Sequence, residues 1–405
     1  MSLPRAGVYI DARGTQAVES AHRGIGRFVA EHITALLKVA PEAIGTIGYD
    51  PDLPLSSALE PLAGSGLLEP LGSPPAGKEH PAIYHVMSPF ELGPDLDGIW
   101  PPWSRGDGCR LVVTLHDVIP IVMRDFYSQL PDWTFIEAVW SARLGLVRMA
   151  DHVVTNSRHT AEDAVEHVGI PEERVTPIES GAPAELAGLV ADRAEAEELV
   201  KGIRRLRPGF LLYVGGEDPR KNLDGTIRGY AQLPEHLRRA HQLVIACKLT
   251  GLRRLQLRRE ARRLGITSRD LVLTGFVPDR ELAGLYRSCE LFVFPSLYEG
   301  AGLPVLEAMS CGAPVAASGT SSIPEILGDL DGTFDPEDPG DIARSIGEIL
   351  ENPAQLERIR ERSSERVGLY TWERVAERTV EAYERTLGTP PQIPRPARFA
   401  LPTRG

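Results

Sequence analysis

The sequence predicts an α/β protein built from two doubly wound domains with parallel sheets. Short apolar strands alternate with amphipathic helices, and this alternation is broken once, between residues 180 and 208, before it resumes. The length of 405 residues is too great for one ordinary domain and suits two. The composition, 42% hydrophobic and 25% charged, is ordinary for a globular protein.

The first half of the chain supports one such domain, for which we predict the bounds 1–190. Its clearest strand is LVVTL at 111–115, a mostly apolar, β-branched run of strand length. The other predicted strands cover 7–10, 44–49, 82–86, 152–156 and 175–178, and the predicted helices cover 26–39, 133–150 and 157–168.

The second half repeats the pattern, and we predict a second domain over 205–369. The segment between the halves is rich in Ala, Glu and Arg and has no convincing strand, so we place the link between the domains there. Predicted strands cover 210–214, 242–246, 271–274 and 291–294; predicted helices cover 223–231, 251–265, 279–289, a segment starting near 302, and segments between 339 and 387. The proline-rich end, 388–405, is predicted to lack regular structure.

The most informative run is LFVFPSLYEGAGLPVLEAMSCGAPVAASGTSSIPE at 291–325. An apolar strand leads into a loop, and a helix begins near Gly302. A helix that starts at the carboxyl end of a strand presents unpaired N–H groups and the positive end of its dipole. In an open α/β sheet this is also the edge where ligands bind. The run therefore predicts an anion site.

Two carboxylates flank this predicted anion site, with seven residues between them: Glu299 and Glu307. Carboxylates do not hold phosphate, but they accept hydrogen bonds from hydroxyls. Together the features indicate a sugar diphosphate. Its phosphates would lie on the amides of Ala301, Gly302 and Leu303, and its hydroxyls on the two glutamates.

A second segment, LLYVGGEDPRKNL at 211–223, follows a strand and precedes a helix. Gly215 and Gly216 allow a tight turn and a close backbone approach. Arg220 and Lys221 add positive charge at the helix start, where cations oppose the dipole unless an anion lies between. The segment thus predicts a second contact to the diphosphate.

The run at 291–325 closely resembles the E-x7-E signature of the retaining glycosyltransferases of family 4, which have the GT-B fold. The words Gly302-Leu303-Pro304 and Glu307-Ala308-Met309 also fit the family, which usually has an aromatic residue where this chain has Ala301. The resemblance implies two Rossmann-like domains facing a cleft. It also implies that the last helix, 370–387, crosses back to the first domain with Trp372 as a plausible anchor.

The resemblance also assigns roles to individual residues. Those implied for catalysis are His116 and Glu299; those for the donor are Gly24, Gly26, Gly215, Arg220, Lys221, Pro278, Ala301, Gly302, Leu303 and Glu307; weaker acceptor candidates are Asp117, Ser157 and Arg158. Other interpretations stay open for several of them. A lone histidine is more often structural, the turn at Gly24 and Gly26 also suits a plain helix start, and capping explains Ser157 fully.

The predicted function is a retaining, metal-independent hexosyltransferase that moves a sugar from a nucleotide-sugar, with GDP-mannose favoured, to a glycan, lipid-linked or small-molecule acceptor. The expected role is in the synthesis of a bacterial cell-surface polysaccharide, and the expected location is the cytoplasm. No cofactor is expected. Three alternatives remain: a tailoring glycosyltransferase of a secondary metabolite, a sugar-nucleotide epimerase on the same fold, and a non-catalytic partner protein. The donor base, the linkage and the oligomeric state are not readable from the sequence.

Charge and cysteine content limit the other classes. The formal net charge of −12 argues against a nucleic-acid binder. One segment, 251–265, carries six arginines; an ordinary solvated helix is the favoured interpretation, and docking to an anionic membrane or an anionic acceptor is the alternative. The four cysteines have neither the spacing of a disulfide framework nor that of a zinc site.

Overall fold

The computed structural model describes residues 3–16, 24–71, 74, 80–90, 96–106, 108–129, 133–329 and 331–391. Internal contacts divide the chain into two compact units. The first unit comprises Met1–Gly181 with Thr371–Gly405, and the second comprises Ala182–Tyr370. Each unit is built on its own parallel sheet, as the alternation of strands and helices predicted.

The first unit contains a doubly wound sheet with the strand order β3-β2-β1-β4-β5-β6-β7. Its strands are β1 (Val8–Asp11), β2 (Ile44–Tyr49), β3 (Leu68–Pro70), β4 (Ile83–Val86), β5 (Arg110–Leu115), β6 (His152–Thr155) and β7 (Val175–Pro177). Its helices up to this point are α1 (Ile25–Val39), α2 (Leu96–Ile99), α3 (Ile119–Val122), α4 (Arg124–Tyr127), α5 (Trp133–Met149) and α6 (Arg158–Asp163), which continues as a π-helical turn, Ala164–Val168. The order of the strands reverses between β1 and β4.

The second unit has the strand order β10-β9-β8-β11-β12-β13, all parallel, and the order reverses between β8 and β11. Its strands are β8 (Leu211–Val214), β9 (Leu243–Ala246), β10 (Leu271–Leu273), β11 (Leu291–Phe294), β12 (Val315–Ser318) and β13 (Thr333–Phe334). Its helices are α7 (Ala184–Gly188), α8 (Arg193–Val200), α9 (Leu223–Gln232), α10 (Glu235–Ala240), α11 (Gly251–Arg263), α12 (Asp279–Ser288), α13 (Leu303–Ser310), α14 (Ile323–Leu327), α15 (Pro339–Glu351) and α16 (Pro353–Val367).

The segment in which we predicted the link between domains carries helices of the second unit. Helix α8 packs against α12, and Gly284 makes the close approach possible because a Cβ there would lie 3.1 Å from Leu199. Asp192 caps α8 by accepting a hydrogen bond from the amide of Glu195 at 2.9 Å. The Ala- and Glu-rich composition of this segment therefore reflects a helix.

The last helix, α17 (Trp372–Gly388), belongs to the first unit, so the predicted return of the chain is confirmed. It packs on α1, where His32 Nε2 and Thr379 Oγ1 lie 2.8 Å apart. Trp372 packs edge-on against Phe28, with ring centroids 5.2 Å apart, and lies over Gly181, where any side chain would meet the indole ring. Trp372 thus anchors the start of this helix.

Two further observations concern surface and core. Within the described ranges, no helix combines the length and the apolar character needed to cross a bilayer. All four cysteines are free and buried, and burial raises the pKa of the Cys311 thiol from 9.0 to about 12. They therefore act as small core residues. Most of the proline-rich end, 392–405, lies outside the described residues.

Candidate functional site

The candidate site lies at the carboxyl edge of the second unit's sheet, beside the reversal of strand order between β8 and β11. Open α/β sheets bind ligands at such a reversal, because the loops that follow the two strands diverge there. Here the two loops are held together by the Arg220 carbonyl, which accepts from the Leu297 amide at 2.7 Å and from Ser296 Oγ at 3.2 Å.

A buried carboxylate joins the two loops. Glu299, which is 5% exposed, accepts hydrogen bonds at Oε1 from Lys221 Nζ and Ser296 Oγ, each at 2.6 Å. Its Oε2 lies 2.8 Å from Arg220 Nη1. Burial raises the pKa of Glu299, but the charges of Lys221 and Arg220 outweigh burial and lower it from 4.5 to about 2. The side chain is therefore ionised at neutral pH.

The two cations of this cluster are almost buried, with side-chain exposures of 17% for Arg220 and 14% for Lys221. Arg220 also pairs with Asp218, Nε to Oδ2 at 3.1 Å, and Lys221 Nζ lies 5.4 Å from the centroid of the Phe294 ring. Burial lowers the pKa of Lys221, while the charge of Glu299 opposes that shift. The anion that sequence reasoning required next to these cations is thus, in this structure, a side chain of the protein.

The loop after β8 has the tight shape that its glycines predicted. Tyr213 donates from its hydroxyl to the Lys221 carbonyl at 3.1 Å. A Cβ on Gly215 would lie 2.5 Å from that hydroxyl, so only glycine fits beside it. Asn222 then caps α9, since its side chain accepts from the Gly225 amide at 3.1 Å. The loop therefore holds Arg220 and Lys221 on a rigid turn.

Helix α13 begins at Gly302, as predicted, with its N-terminus at the same edge of the sheet. Gly302 has a φ of 59°, and a Cβ there would lie 2.6 Å from Ile323 Cδ1, so the backbone requires glycine. The N–H groups of Ala301, Gly302 and Leu303 have no hydrogen-bond acceptor within the described residues. Three such groups at a helix start form an anion-binding surface.

The second glutamate of the predicted pair is placed differently from the first. Glu307 lies one turn into α13, is half-buried, and accepts from the Tyr286 hydroxyl at 3.0 Å. Tyr286 is fully buried on α12, so its hydroxyl holds the Glu307 carboxylate in a fixed position. Pro278, which precedes α12, is exposed at the carboxyl side of β10.

In the first unit, the predicted histidine follows β5 directly. His116 is 4% exposed and its Nε2 lies 2.8 Å from the Met87 carbonyl oxygen. A carbonyl only accepts, so Nε2 carries the proton and Nδ1 is the acceptor. Burial lowers the pKa of His116 from 6.5 to about 4, although its bond to Met87 raises it. The ring is thus neutral at physiological pH.

The other first-unit candidates have structural roles. Asp117 accepts from the Ile119 amide at 3.1 Å. Ser157 caps α6 by accepting from the Thr160 amide at 2.9 Å, which confirms the capping interpretation. Arg158 is exposed and pairs with Glu179 at 3.3 Å.

The glycines at the start of the first helix lie beside undescribed residues. Gly24 precedes α1 with a φ of 61°, and Gly26 is buried in its first turn. The rest of the predicted turn, 21–23, lies outside the described residues.

Sequence reasoning missed the residues that support the site. Ser296, Asp218, Phe294 and Tyr286 all contact predicted site residues. Ser296 and Phe294 lie in the run 291–325 and Asp218 lies in 211–223, but none of the three has a side chain that signals such a role, and Tyr286 lies outside both segments. No group of three His, Cys, Asp or Glu side chains within the described ranges is arranged to hold a metal ion.

Two family models match the chain. The model described as glycosyl transferases group 1 matches residues 195–366, and the model described as glycosyltransferase family 4 matches residues 76–186. The first match contains the whole candidate site of the second unit, and the second contains His116 and the acceptor candidates.

Curated relatives include mannosyltransferases. The serotype-specific mannosyltransferase WbdA of Escherichia coli is 33% identical over 322 residues, which cover 77% of this chain and 38% of that protein. The O-antigen chain mannosyltransferase B of Escherichia coli is 28% identical over 285 residues, 68% of this chain and 70% of that protein. The chain thus spans less than half the length of the WbdA proteins it matches.

Solved structures with the same fold include two with near-complete coverage. A sucrose-phosphate synthase from Thermosynechococcus elongatus has a TM-score of 0.70 at 19% identity, covering 93% of this chain and 98% of that one. The Anabaena protein HepE in complex with UDP has a TM-score of 0.67 at 18% identity, covering 94% and 99%. At such identities the likeness concerns the fold alone.

Proposed function

Because the chain belongs to the family 4 glycosyltransferases, we propose that it transfers a hexose from a nucleotide-sugar, with GDP-mannose favoured, to a glycan or glycolipid hydroxyl. The proposed setting is cell-surface polysaccharide synthesis, which the names of the mannosyltransferase relatives support. The observation that carries the proposal is the pair of buried cations, Arg220 and Lys221, on the same sheet edge as the unbonded N–H groups of α13.

The diphosphate of the donor would bind where positive charge and N–H groups converge. The amides of Ala301, Gly302 and Leu303 would donate to its oxygens, and Arg220 and Lys221 would stabilise the negative charge that grows as the glycosidic bond breaks. Fixed cations supply that stabilisation without reorganisation, so the scheme uses no metal. Phosphate oxygens would then share the cations that Glu299 now holds.

The hydroxyl groups of the donor would bind to acceptors. Glu307 would accept from the ribose hydroxyls, with Tyr286 holding the carboxylate in place. Glu299 would accept from the transferred sugar, as the resemblance implies. An ionised carboxylate accepts hydrogen bonds more strongly than a protonated one, and the lowered pKa of Glu299 keeps that side chain ionised.

The first unit would supply neutral contacts. His116, held in one tautomer by the Met87 carbonyl, would present Nδ1 as an acceptor toward a sugar hydroxyl. The proposed stereochemical outcome is retention, with a leaving phosphate oxygen taking the proton of the acceptor hydroxyl.

Thermal unfolding of the full chain in the presence of GDP-, UDP-, dTDP- and ADP-sugars tests the proposal. A ligand at a hundredfold excess over its Kd stabilises the native state by about 2.7 kcal/mol. We expect GDP-mannose to raise the unfolding temperature most. The proposal is wrong if no nucleotide-sugar shifts it.

Calorimetry on Glu307→Ala tests the ribose assignment. Hydrogen bonds to charged groups contribute about 1.5–3 kcal/mol, so we expect nucleotide affinity to fall by about tenfold to hundredfold. The matched control is Glu361→Ala, an exposed glutamate on α16 that should bind nucleotide normally. Unchanged affinity in Glu307→Ala would reject the ribose assignment.

A further inference from the structure

Helix α11 sorts its arginines between two faces. Its inner face is defined by Leu257 and Ala261, which are buried in the core of the second unit. Arg253 turns toward that unit and pairs with Asp224 at 2.8 Å, and the guanidinium of Arg254 lies over Gly275. These two arginines are therefore used by the fold.

The outer face of α11 carries the other four arginines: Arg258, Arg259, Arg262 and Arg263, all of them exposed. Within the described residues the first three have no ion-pair partner, and Arg263 reaches Glu260 only at 4.0 Å. Fold stability does not explain a group of like charges on one helix face, because like charges at this spacing repel.

Two leucines share this outer face with the arginines. Leu252 is 68% exposed and Leu255 is 45% exposed, whereas Leu264, which directly follows the last residue of α11, packs on the core. With 3.6 residues per turn, Leu252, Leu255, Arg259 and Arg262 lie on one side of the helix, opposite Leu257. The exposed apolar side chains thus lie among unpaired cations.

The positive surface extends past the end of α11. Helices of a parallel α/β unit run opposite to the strands, so the carboxyl end of α11 lies at the edge of the sheet where strands begin. Exposed arginines lie on the segments before β8 and β10 at that edge: Arg204, Arg205, Arg207 and Arg269. Three of these line one depression together with Gln242.

We propose that this basic face, the outer side of α11 with the four arginines at the sheet edge, docks the protein on a bilayer that contains anionic lipid. A helix with cations around exposed leucines has the chemistry of interfacial membrane binding: phosphates attract the cations while the leucines enter the headgroup region. The rest of the chain is acidic enough to bring the net charge to −12, so an anionic surface repels the other faces and selects this one.

A bilayer fits this face better than a protein or a small anion. The cations are spread over an open surface. The buried Gln242 beside three of them already accepts from the Arg207 amide and donates to the carbonyls of Arg205 and Arg269, so its side chain serves the fold and does not define an anion pocket. Two isolated leucines are too small an apolar area for a stable protein interface, but they are sufficient to add to an electrostatic membrane attraction.

Co-sedimentation of the full chain with lipid vesicles tests the proposal. The vesicles are phosphatidylcholine alone, or phosphatidylcholine and phosphatidylglycerol in equal amounts. Each basic residue near an anionic surface contributes about fivefold to partitioning, so Arg258→Gln, Arg259→Gln and Arg262→Gln together should weaken binding on the order of 100-fold. The matched control, Arg358→Gln, Arg360→Gln and Arg362→Gln on α16, changes the net charge equally and should bind as the native protein does.

Two further measurements separate the sources of binding. Raising the salt from about 0.1 M to about 1 M shortens the screening length roughly threefold and should release most of the protein. The remaining binding should fall further in Leu252→Ser with Leu255→Ser. The proposal is overturned if the protein binds both kinds of vesicle equally, if it binds neither, or if both arginine triples lose binding alike. Nucleotide affinity of all variants in solution should be unchanged, which keeps this test separate from the proposed transferase function.

Discussion

The two sheets present very different chemistry at the edges where their strands end. In the second unit, Arg220, Lys221 and Glu299 form a cluster of buried, mutually compensating charges. In the first unit, the residue that follows β5 is a buried histidine, His116, kept neutral by its surroundings. The backbone architecture is the same, so the contrast lies in the loops. The first unit also holds a charged pair at this edge, since Arg13 Nη2 lies 2.6 Å from Oδ2 of the buried Asp11 at the end of β1. The contrast is therefore between one ion pair and a larger cluster in which one carboxylate holds two cations.

The largest effect of a single substitution should come from breaking the charged cluster. Glu299→Gln leaves two buried cations without their main counter-charge, and removing one member of a buried ion pair typically costs about 3–5 kcal/mol. We therefore expect the free energy of unfolding of the second unit to fall by that amount. Adding Lys221→Met should restore part of it, because one uncompensated charge is then removed.

The positions of the tryptophans allow the stability of each unit to be measured separately. All five tryptophans lie at 100, 103, 133, 140 and 372, so their fluorescence follows the first unit, whereas circular dichroism follows both. In Glu299→Gln, the unfolding transition of the second unit, seen by circular dichroism, should move to a lower urea concentration. The transition seen by tryptophan fluorescence should keep its midpoint. A loss below about 1 kcal/mol, or no recovery in the double variant, would contradict a tightly coupled cluster.

Lowering the pH should destabilise the first unit before the second. Burial lowers the pKa of His116 and of His152 from 6.5 to about 4, that of His32 to about 3, and that of His85 well below 6.5. The folded state binds fewer protons than the unfolded state, so the contribution to stability is full above pH 6.5 and is lost as the pH falls toward 4. All four histidines belong to the first unit.

The carboxylate of the second unit loses its contribution later. The pKa of Glu299 is lowered from 4.5 to about 2, so its stabilisation is present above 4.5 and lost below it. About pH 5.5 is one unit below the pKa of histidine in the unfolded chain. At that pH each buried histidine lowers the free energy of unfolding by about 1.4 kcal/mol. We expect the midpoint of the first unit's transition, seen by tryptophan fluorescence, to move to a lower urea concentration at that pH. The midpoint of the second unit's transition, seen by circular dichroism, should move little. Equal shifts of both would argue against this difference between the units.

Gly302→Ala should have an intermediate effect. A left-handed φ costs a non-glycine residue about 1–3 kcal/mol, and the new Cβ would also lie 2.6 Å from Ile323. We expect lower stability and weaker nucleotide binding, because the amides at the start of α13 would move. Gly312→Ala is the matched control: its φ is 77° but nothing lies within 4 Å of a Cβ there. If both variants bind nucleotide equally, the start of α13 does not hold the diphosphate.

Ser157→Ala should have the smallest effect. It removes the cap of α6, which costs about 1 kcal/mol of first-unit stability. Nucleotide affinity should be unchanged in calorimetry. Thr250→Ala, which removes the cap of α11, is a comparison in the second unit. A Ser157→Ala variant with native stability and lower transfer would show that the serine acts on the acceptor instead.

The sequence predicted most strands of the second unit because they are continuous apolar runs, as in Leu291–Phe294. It did not predict β12, because Val315–Ser318 contains two alanines, which favour helices, and it did not predict β13, which has two residues. The composition of 184–200 has no clear apolar period, so the sequence indicates a link where the structure has two helices, α7 and α8. The sequence pattern therefore identifies elements that are long or strongly apolar. The other elements form because of tertiary contacts that the local sequence does not show.

For the candidate site, the sequence located the loops and the helix start but not the contacts between them. Arg220 and Lys221 lie 78 residues from the segment they contact, and nothing in either motif shows that Glu299 takes both cations. The role of Tyr286 under Glu307 was equally invisible, since a buried tyrosine on an amphipathic helix resembles any core residue. Pairing across the sheet edge is a property of the fold.

The most direct test of the central claim, that the carboxyl edge of the second sheet binds a nucleoside diphosphate, is a crystal structure of the full chain with GDP. We predict phosphate oxygens within hydrogen-bond distance of the amides of Ala301, Gly302 and Leu303 and of at least one of Arg220 and Lys221. A nucleotide bound away from this edge, with neither cation in contact with a phosphate oxygen, would contradict the claim.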